Sequence, residues 1–255
     1  MTTVSTVVFI TGAGRGIGKT LVQTYLLRPD HIVIGSVRDR ASPNAQELQD
    51  LPTATGTRLL LVNIESSSPT DATNAVKDLR AAGIGHVDVV IANAGGSGSR
   101  GAAVPLQLVD PKAVAECFGI NTLGPLLLFQ AIRPLLQKSS KSPTWVAITS
   151  AVGSIGNMEA FGSHVAPAYG ISKVGLNWVT QAAHSGNKWL IAFVVHPGLV
   201  QTEGGNRAAK AIGLEKAPHT QQQSADAIIH LVDAGSRENS SGKFYNAIDG
   251  TEIPW

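Results

Sequence analysis

Thr11-Gly12-Ala13-Gly14-Arg15-Gly16-Ile17-Gly18 follows a short β-branched run, residues 7–10, and leads into a helix-like segment, residues 19–27. A strand, a glycine-rich turn and a helix start, in that order, describe a dinucleotide site. The glycines let the backbone approach a pyrophosphate, and the free amides at the helix N-terminus stabilise its charge. An ordinary βα turn is the competing reading, and the strand–turn–helix context favours the nucleotide.

The next strand, residues 31–37, ends at Arg38. A site for NAD usually places a carboxylate near this point to accept hydrogen bonds from the ribose 2′-hydroxyl. Here Val37 occupies that neighbourhood and Arg38 follows, with Arg15 inside the glycine loop. Two guanidiniums suit a 2′-phosphate, so NADP(H) is the expected cofactor. Asp39 is the opposing signal, as a partner for Arg38 or a displaced ribose acceptor.

A polar helix around residues 42–51 precedes a third strand, residues 58–62, which ends in Asn63-Ile64. A helix over residues 68–82 presents Asp71, Lys77, Asp78 and Arg80 as its solvated face. Strand four, residues 87–92, is continuously apolar, as a buried parallel strand requires. It runs into Asn93-Ala94-Gly95-Gly96 at a strand's C-terminal end, where open α/β sheets bind ligands. The glycine- and serine-rich loop 96–101 reads as mobile. Residues 110–136 are long and largely apolar, interrupted by Asn121, Gly124 and Pro125. Asn121 either caps a helix break before Pro125 or is a buried hydrogen-bonding group with a function.

Strand five, residues 145–149, ends at Ser150, and strand six, residues 190–196, ends in Pro197-Gly198-Leu199-Val200-Gln201-Thr202. A polar loop, residues 203–223, a helix, residues 224–232, and a final strand, residues 243–246, complete the chain. Between Ser150 and strand six lies Tyr169-Gly-Ile-Ser-Lys173. On a helix, residues four apart share a face. Most such pairs simply share a solvated face, but an ammonium beside a phenol of pKa about 10 also pulls that pKa toward the useful range.

Composition agrees with this frame. The 255 residues are 43% hydrophobic and 15% charged, with 27 glycines and a net charge of +2. Scattered basic residues argue against a nucleic-acid surface. No apolar run of about 18 residues stands out, so no membrane partner is expected. The single cysteine, Cys117, excludes an intrachain disulfide, fits a cytoplasmic protein, and reads as a buried hydrophobe. No metal site is expected. Strands alternate with helices along one domain, residues 1–255. The expected fold is α/β: a single-domain Rossmann-type, doubly wound, mainly parallel seven-stranded sheet with helices on both faces.

Thr11-Gly-x-x-x-Gly16-x-Gly18, Asn93-Ala94-Gly95, Asn121, Ser150, Tyr169-x-x-x-Lys173 and Pro197-Gly198 together resemble the short-chain dehydrogenase/reductase family over almost the whole chain. The resemblance implies roles. Tyr169 would be the general acid, Ser150 would hydrogen-bond the substrate oxygen, and Lys173 would bind the nicotinamide ribose and lower the Tyr169 pKa. Asn121 would hold a water in a proton relay. Gly12, Arg15, Gly16, Ile17 and Gly18 would cradle the pyrophosphate and adenosine side. Asn93, Ala94 and Gly95 would line the cofactor, and Pro197, Gly198, Val200 and Thr202 would position the nicotinamide. Asn63, next to Ile64, stands where many members carry Asp, and its carbonyl is expected to accept the adenine amine's bond.

Ser150 precedes Tyr169 by 19 residues, a longer spacing than in many members. The loop Ser150-Ala-Val-Gly-Ser154-Ile-Gly and the ending Asp249-Gly-Thr-Glu-Ile-Pro-Trp255 are similar to a branch containing sniffer-type and C-factor-like carbonyl reductases and norsolorinic acid ketoreductases. That implies NADPH-dependent reduction of a small-molecule ketone or aldehyde, aromatic polyketides among them, by a homodimer or homotetramer. Ser154, Met158, Phe161 and His164 are candidate substrate contacts, with loop packing as the alternative. Rival readings are an NAD-linked alcohol dehydrogenase, a non-redox polyketide-modifying enzyme, and a non-catalytic NADP(H) sensor.

Overall fold

β-branched and aliphatic runs form the strands, because such side chains fit a sheet buried on both faces. The computed structural model describes residues 5–97 and 103–255. Its strands are β1 (Thr6–Ile10), β2 (His31–Val37), β3 (Arg58–Asn63), β4 (Val89–Ala92), β5 (Thr144–Ile148), β6 (Ile191–His196) and β7 (Phe244–Asn246). They make one seven-stranded sheet in the order β3-β2-β1-β4-β5-β6-β7, and every pairing within it is parallel. Order reverses between β1 and β4, where the register pairs Ile10 with Ile91. Loops leaving two adjacent strands in opposite directions open a crevice there.

Helices α1 (Gly16–Leu26), α2 (Pro43–Gln49) and α8 (Gln221–Asp233) cover one face. Leu21, Val22, Leu26, Leu48, Ile228 and Ile229 pack there on Val8, Ile10, Val146 and Phe193. The other face is covered by α3 (Asp71–Ala81), α5 (Gly124–Leu136) and α6 (Pro167–Gly186), over a core that includes Phe9, Val90, Trp145 and Phe244. Trp145 is fully buried, with the Phe129 ring edge-on at 5.2 Å. A proline in the first turn starts α6, where its missing N–H costs nothing. At its other end Asn187 donates to the Ala183 carbonyl at 2.8 Å.

Two expectations change and one open alternative is decided: the apolar stretch 110–136 does not break before Pro125, such a break being one of the two readings of Asn121. It runs as α4 (Pro111–Phe118), a π turn (Gly119–Leu123) and α5, with Pro125 in the first turn of α5. By length and composition this continuous helix, Pro111–Leu136, could cross a membrane, its most apolar 18 residues having mean hydropathy 1.2, contrary to the reading of no such run. Its inward residues Leu128, Ile132, Leu135 and Leu136 pack in the core instead. Second, the segment read as polar loop contains α7 (Glu203–Ala211).

Candidate active site

The cofactor end is built from backbone before side chains. Thr11 follows β1, and its buried hydroxyl accepts from the Asn93 and Ala94 amides at 3.0 and 2.9 Å. Asn93 returns its side-chain amide to the Thr11 carbonyl at 2.8 Å. These bonds stitch the two loops at the point where the sheet reverses. Gly12 and Gly16 have φ of 69° and 59°, in the left-handed region that favours glycine. A Cβ on Gly18 would overlap the Gly12 carbonyl oxygen and come within 2.5 Å of the Asn93 Nδ2. Asn93 therefore fixes the glycine loop through its side chain rather than simply lining the cofactor.

The N-terminus of α1, at Gly16, Ile17 and Gly18, has no side-chain cap and no acidic residue in its first turn. Its amides are left to an anion, which is what a pyrophosphate needs. The chain's own geometry therefore fits a dinucleotide.

At the adenosine end Arg38 is exposed and makes no hydrogen bond or ion pair with the described residues. Arg15 is exposed and pairs with Glu203 of α7 at 2.8 Å. Asp39 accepts from the Ala41 amide at 2.8 Å, so its carboxylate braces its own turn. The Asn63 carbonyl, expected to take the adenine amine, accepts from the Arg40 amide at 3.2 Å and ties the Arg38 loop to β3. Ile64 donates its amide to the Val37 carbonyl at 2.9 Å, lining the same edge.

The reacting end lies where β4, β5, α6 and the π turn meet. Asn121 is fully buried on the π turn. Its Nδ2 donates to the Gly96 carbonyl at 2.7 Å and to Ser172 Oγ at 3.0 Å, and its Oδ1 accepts from the Gly96 amide at 2.9 Å. Ser172 in turn donates to the Tyr169 carbonyl at 2.7 Å. Asn121 is thus a buried hydrogen-bonding group rather than a helix cap. Gly95 must lack a Cβ, which would stand 2.7 Å from Asn121 Oδ1 and 3.3 Å from Lys173 Nζ.

Ser150 follows β5, accepts from the Val152 amide at 3.3 Å, and its hydroxyl lies close enough to the Tyr169 phenol to pull that phenol's pKa down. Lys173 is buried, donates to the Ile148 carbonyl at 2.8 Å, and holds its Nζ 5.6 Å from the Tyr169 ring centroid. The expected lowering of the Tyr169 pKa does not appear. Burial pushes it up to about 12, against a downward pull from Ser150, and the nearby Cys117 thiol adds to the rise. The ammonium is aimed at a carbonyl, not at the phenol, and desolvation brings its own pKa down to about 8. Cys117 itself is fully buried among Ala113 and Ala168, and burial raises its thiol pKa.

Pro197 is buried and accepts from Ser224 Oγ at 2.7 Å, which fixes the turn after β6. Gly198 has φ 86°, and a Cβ there would lie 2.6 Å from Ile248 Cγ1. Val200 is buried and bridges to His219. Thr202 caps α7 by accepting from the Gly205 amide at 3.0 Å, and its methyl would lie 3.3 Å from a Cβ on Gly16. Thr202, at the end of this segment, therefore lies against the glycine loop.

Of the four substrate candidates, Ser154 is fully buried with its hydroxyl committed to the Pro254 carbonyl at 2.6 Å, so it is a loop anchor. Met158, Phe161 and His164 are exposed on the loop between Ser150 and α6. In the loop 96–101, Gly96 and Ser97 are described and residues 98–101 lie outside the described residues. Sequence reasoning missed Thr11 and Ser172 as positioning groups. Thr11 had a signal, since its hydroxyl opens the glycine string. Ser172 had none beyond its place between Tyr169 and Lys173.

The model of the short chain dehydrogenase family matches residues 6–213. The chain belongs to that family. A short-chain dehydrogenase of Neurospora crassa, srdF, is 50% identical over 98% of both chains. The norsolorinic acid ketoreductase nor1 of Dothistroma septosporum is 42% identical over 98% of this chain and 92% of its own. Among solved structures, an NADPH-bound carbonyl reductase from chicken fatty liver superposes with a TM-score of 0.83 at 28% identity, covering 98% of this chain and 99% of its own. As a member of the short-chain dehydrogenases the protein is an oxidoreductase that uses a nicotinamide cofactor and works at carbonyl or hydroxyl groups.

Two measurements follow from the burial of Tyr169 and Lys173. Without added cofactor, the tyrosinate absorbance difference between wild type and Tyr169→Phe should be missing at neutral pH and develop only toward a pH of about 12. A titration with its midpoint near about pH 10, the ordinary phenol value, would contradict the burial argument. For Lys173 the folded pKa, about 8, lies below its unfolded value of about 10.4. Between them the unfolded chain binds more protons, so stability rises with pH across that window. Urea melts should show wild type gaining on Lys173→Met between roughly pH 8 and pH 10.

Proposed function

We propose that the protein is an NADPH-dependent carbonyl reductase, with aromatic polyketide ketones among its substrates. The observation that carries this reading is the placement of Tyr169 one α6 turn before the buried Lys173 and beside Ser150, together with an exposed Arg38 that has no partner among the described residues at the nucleotide end. A phenol held protonated at neutral pH is an acid, and reduction of a carbonyl needs an acid. The names of the relatives, a ketoreductase and an NADPH-bound carbonyl reductase among them, support the same class.

Bound NADPH supplies a hydride. The chain's residues do the rest. Ser150 donates to the carbonyl oxygen as charge develops there, and Tyr169 gives that oxygen its proton. Lys173, buried behind Tyr169, offers ammonium protons to the ribose hydroxyls while still anchored on Ile148. Asn121 fixes the Gly96 backbone and, through Ser172, the first turn of α6, so that Tyr169 keeps its place. Arg38 and Arg15 bind the 2′-phosphate, and Arg15 leaves Glu203 to do so. That exchange is cheap, because an exposed ion pair is worth about 0–1 kcal/mol. Asp39 spends one carboxylate oxygen on the Ala41 amide, which ties it to its own turn and weighs against the NAD-linked alternative.

A homodimer fits the surface. Ile171 and Trp178 lie seven residues apart on one face of α6, and Trp178 is 72% exposed, with Leu123 of the π turn also open. Covering this face with a second copy would bury it. A single buried thiol is in keeping with work in the cytoplasm.

Purified protein mixed with NADPH and a panel of aryl ketones and quinones should oxidise NADPH, and NADH much more slowly. Tyr169→Phe should lower kcat by about 10²–10⁴, the usual worth of a positioned acid. Arg38→Ala should raise KM for NADPH about tenfold or more and leave NADH nearly unchanged. Equal rates with both cofactors would remove the Arg38 argument. On light scattering the protein should elute at a multiple of the 26.5 kDa chain mass, and Trp178→Glu should shift it toward one chain.

A further inference from the structure

The stretch between Ser150 and α6 has little regular structure of its own. It carries Ile155, Met158, Phe161 and Val165, four apolar side chains 39–60% exposed, along one loop. Its own turns hold its middle, with the Met158, Phe161 and Ser163 amides donating to the Ile155, Asn157 and Met158 carbonyls at 3.2, 2.9 and 3.0 Å, and a distant segment ties its start.

Ser154 donates to the Pro254 carbonyl at 2.6 Å and accepts from the Asn157 amide at 3.1 Å. The Gly156 amide donates to the main-chain oxygen of Trp255 at 2.8 Å. The approach is close enough that a Cβ on Gly156 would lie 3.0 Å from Pro254 Cβ and 3.2 Å from the Trp255 oxygen. Residues 253–255 are themselves anchored. Ile253 is buried in the core and donates to the Phe244 carbonyl of β7 at 2.7 Å, and the Trp255 ring lies 5.8 Å from the Phe244 ring. On the other side, the Ser154 and Gly153 amides donate to the Ala151 and Ser150 carbonyls at 3.0 and 2.8 Å. One 3₁₀ turn thus separates the anchored loop from Ser150.

We propose that Pro254 and Trp255 form a positioning clamp that fixes the apolar wall around Met158 and Phe161 and so determines whether bulky apolar carbonyl compounds are accepted. The kinetic part of this inference rests on the reductase reading. Its structural part does not. Binding energy from parts of a substrate remote from the reacting centre is gained only if the wall is already in place. A small substrate that reaches Ser150 and Tyr169 without touching the wall gains nothing from it.

The test is Trp255→Ala, with Trp255→Phe as the conservative variant and Ser154→Ala as an independent cut of the same clamp. Hydrogen exchange should show the Gly156 and Asn157 amides losing protection about tenfold or more in Trp255→Ala and regaining it in Trp255→Phe. In Ser154→Ala the Asn157 amide should lose protection likewise. With NADPH saturating, KM for a bicyclic aryl ketone should rise about tenfold in Trp255→Ala while kcat stays within about twofold, and KM for a small aliphatic ketone or diketone should not change. Unchanged protection at both amides would overturn the clamp. Equal KM increases for large and small substrates, or a fall in kcat alone, would overturn its role in selection. If wild type reduces no carbonyl compound, the reductase reading fails by itself, and the exchange result still decides whether the clamp exists.

Discussion

Thr11 and Asn93 hold the structure's central compromise. The sheet must open between β1 and β4 to admit a ligand, yet those strands are neighbours whose ends would otherwise drift apart. Side chain to backbone bonds across the gap, in both directions, close it at the base. The glycine loop can then turn back so tightly that Gly18 lies against the Gly12 carbonyl, and α1 begins with its amides facing the crevice. Everything downstream, from the π turn to the Pro-Gly turn after β6, is placed relative to this seam.

The Tyr169–Lys173 pair shows which electrostatic effect prevails when two compete. Proximity of an ammonium to a phenol favours the phenolate, and burial of both disfavours charge on either. Here burial prevails, because Lys173 directs its donor at the Ile148 carbonyl and not at the phenol. The result is a tyrosine that stays protonated well past neutral pH and a lysine that gives up its proton more readily than usual. Asn121 contributes by geometry. The π turn lets a polar side chain in an apolar helix reach Gly96 and Ser172 together.

The periphery is made of short ties instead of extensive packing. Helix α7 begins at a Thr202 cap and meets the glycine loop through Arg15 and Glu203, an exposed pair that is easily exchanged. Residues 253–255 restrain the loop after Ser150 through main-chain oxygens and a buried hydroxyl. A stiff sheet with weakly tied edges is the expected build for a site that must admit a cofactor and a substrate in turn.

The sequence by itself determined the parallel sheet, the place of the glycine loop and the chain positions of Asn121, Ser150, Tyr169 and Lys173. Those features are local: strand runs, glycines at a turn, and residues at strand ends announce themselves over a few positions. Helix α7 was not legible, because two glycines and a polar surface face give it a weak local signal. The bonding of Ser154 to Pro254 was equally hidden, since its partner is 100 residues away. So were the commitment of the Asn63 carbonyl to Arg40 and the upward shift of Tyr169. Only the tertiary structure decided these, because hydrogen-bond partners and desolvation depend on what the folded chain places nearby, and no spacing along the sequence encodes that distance.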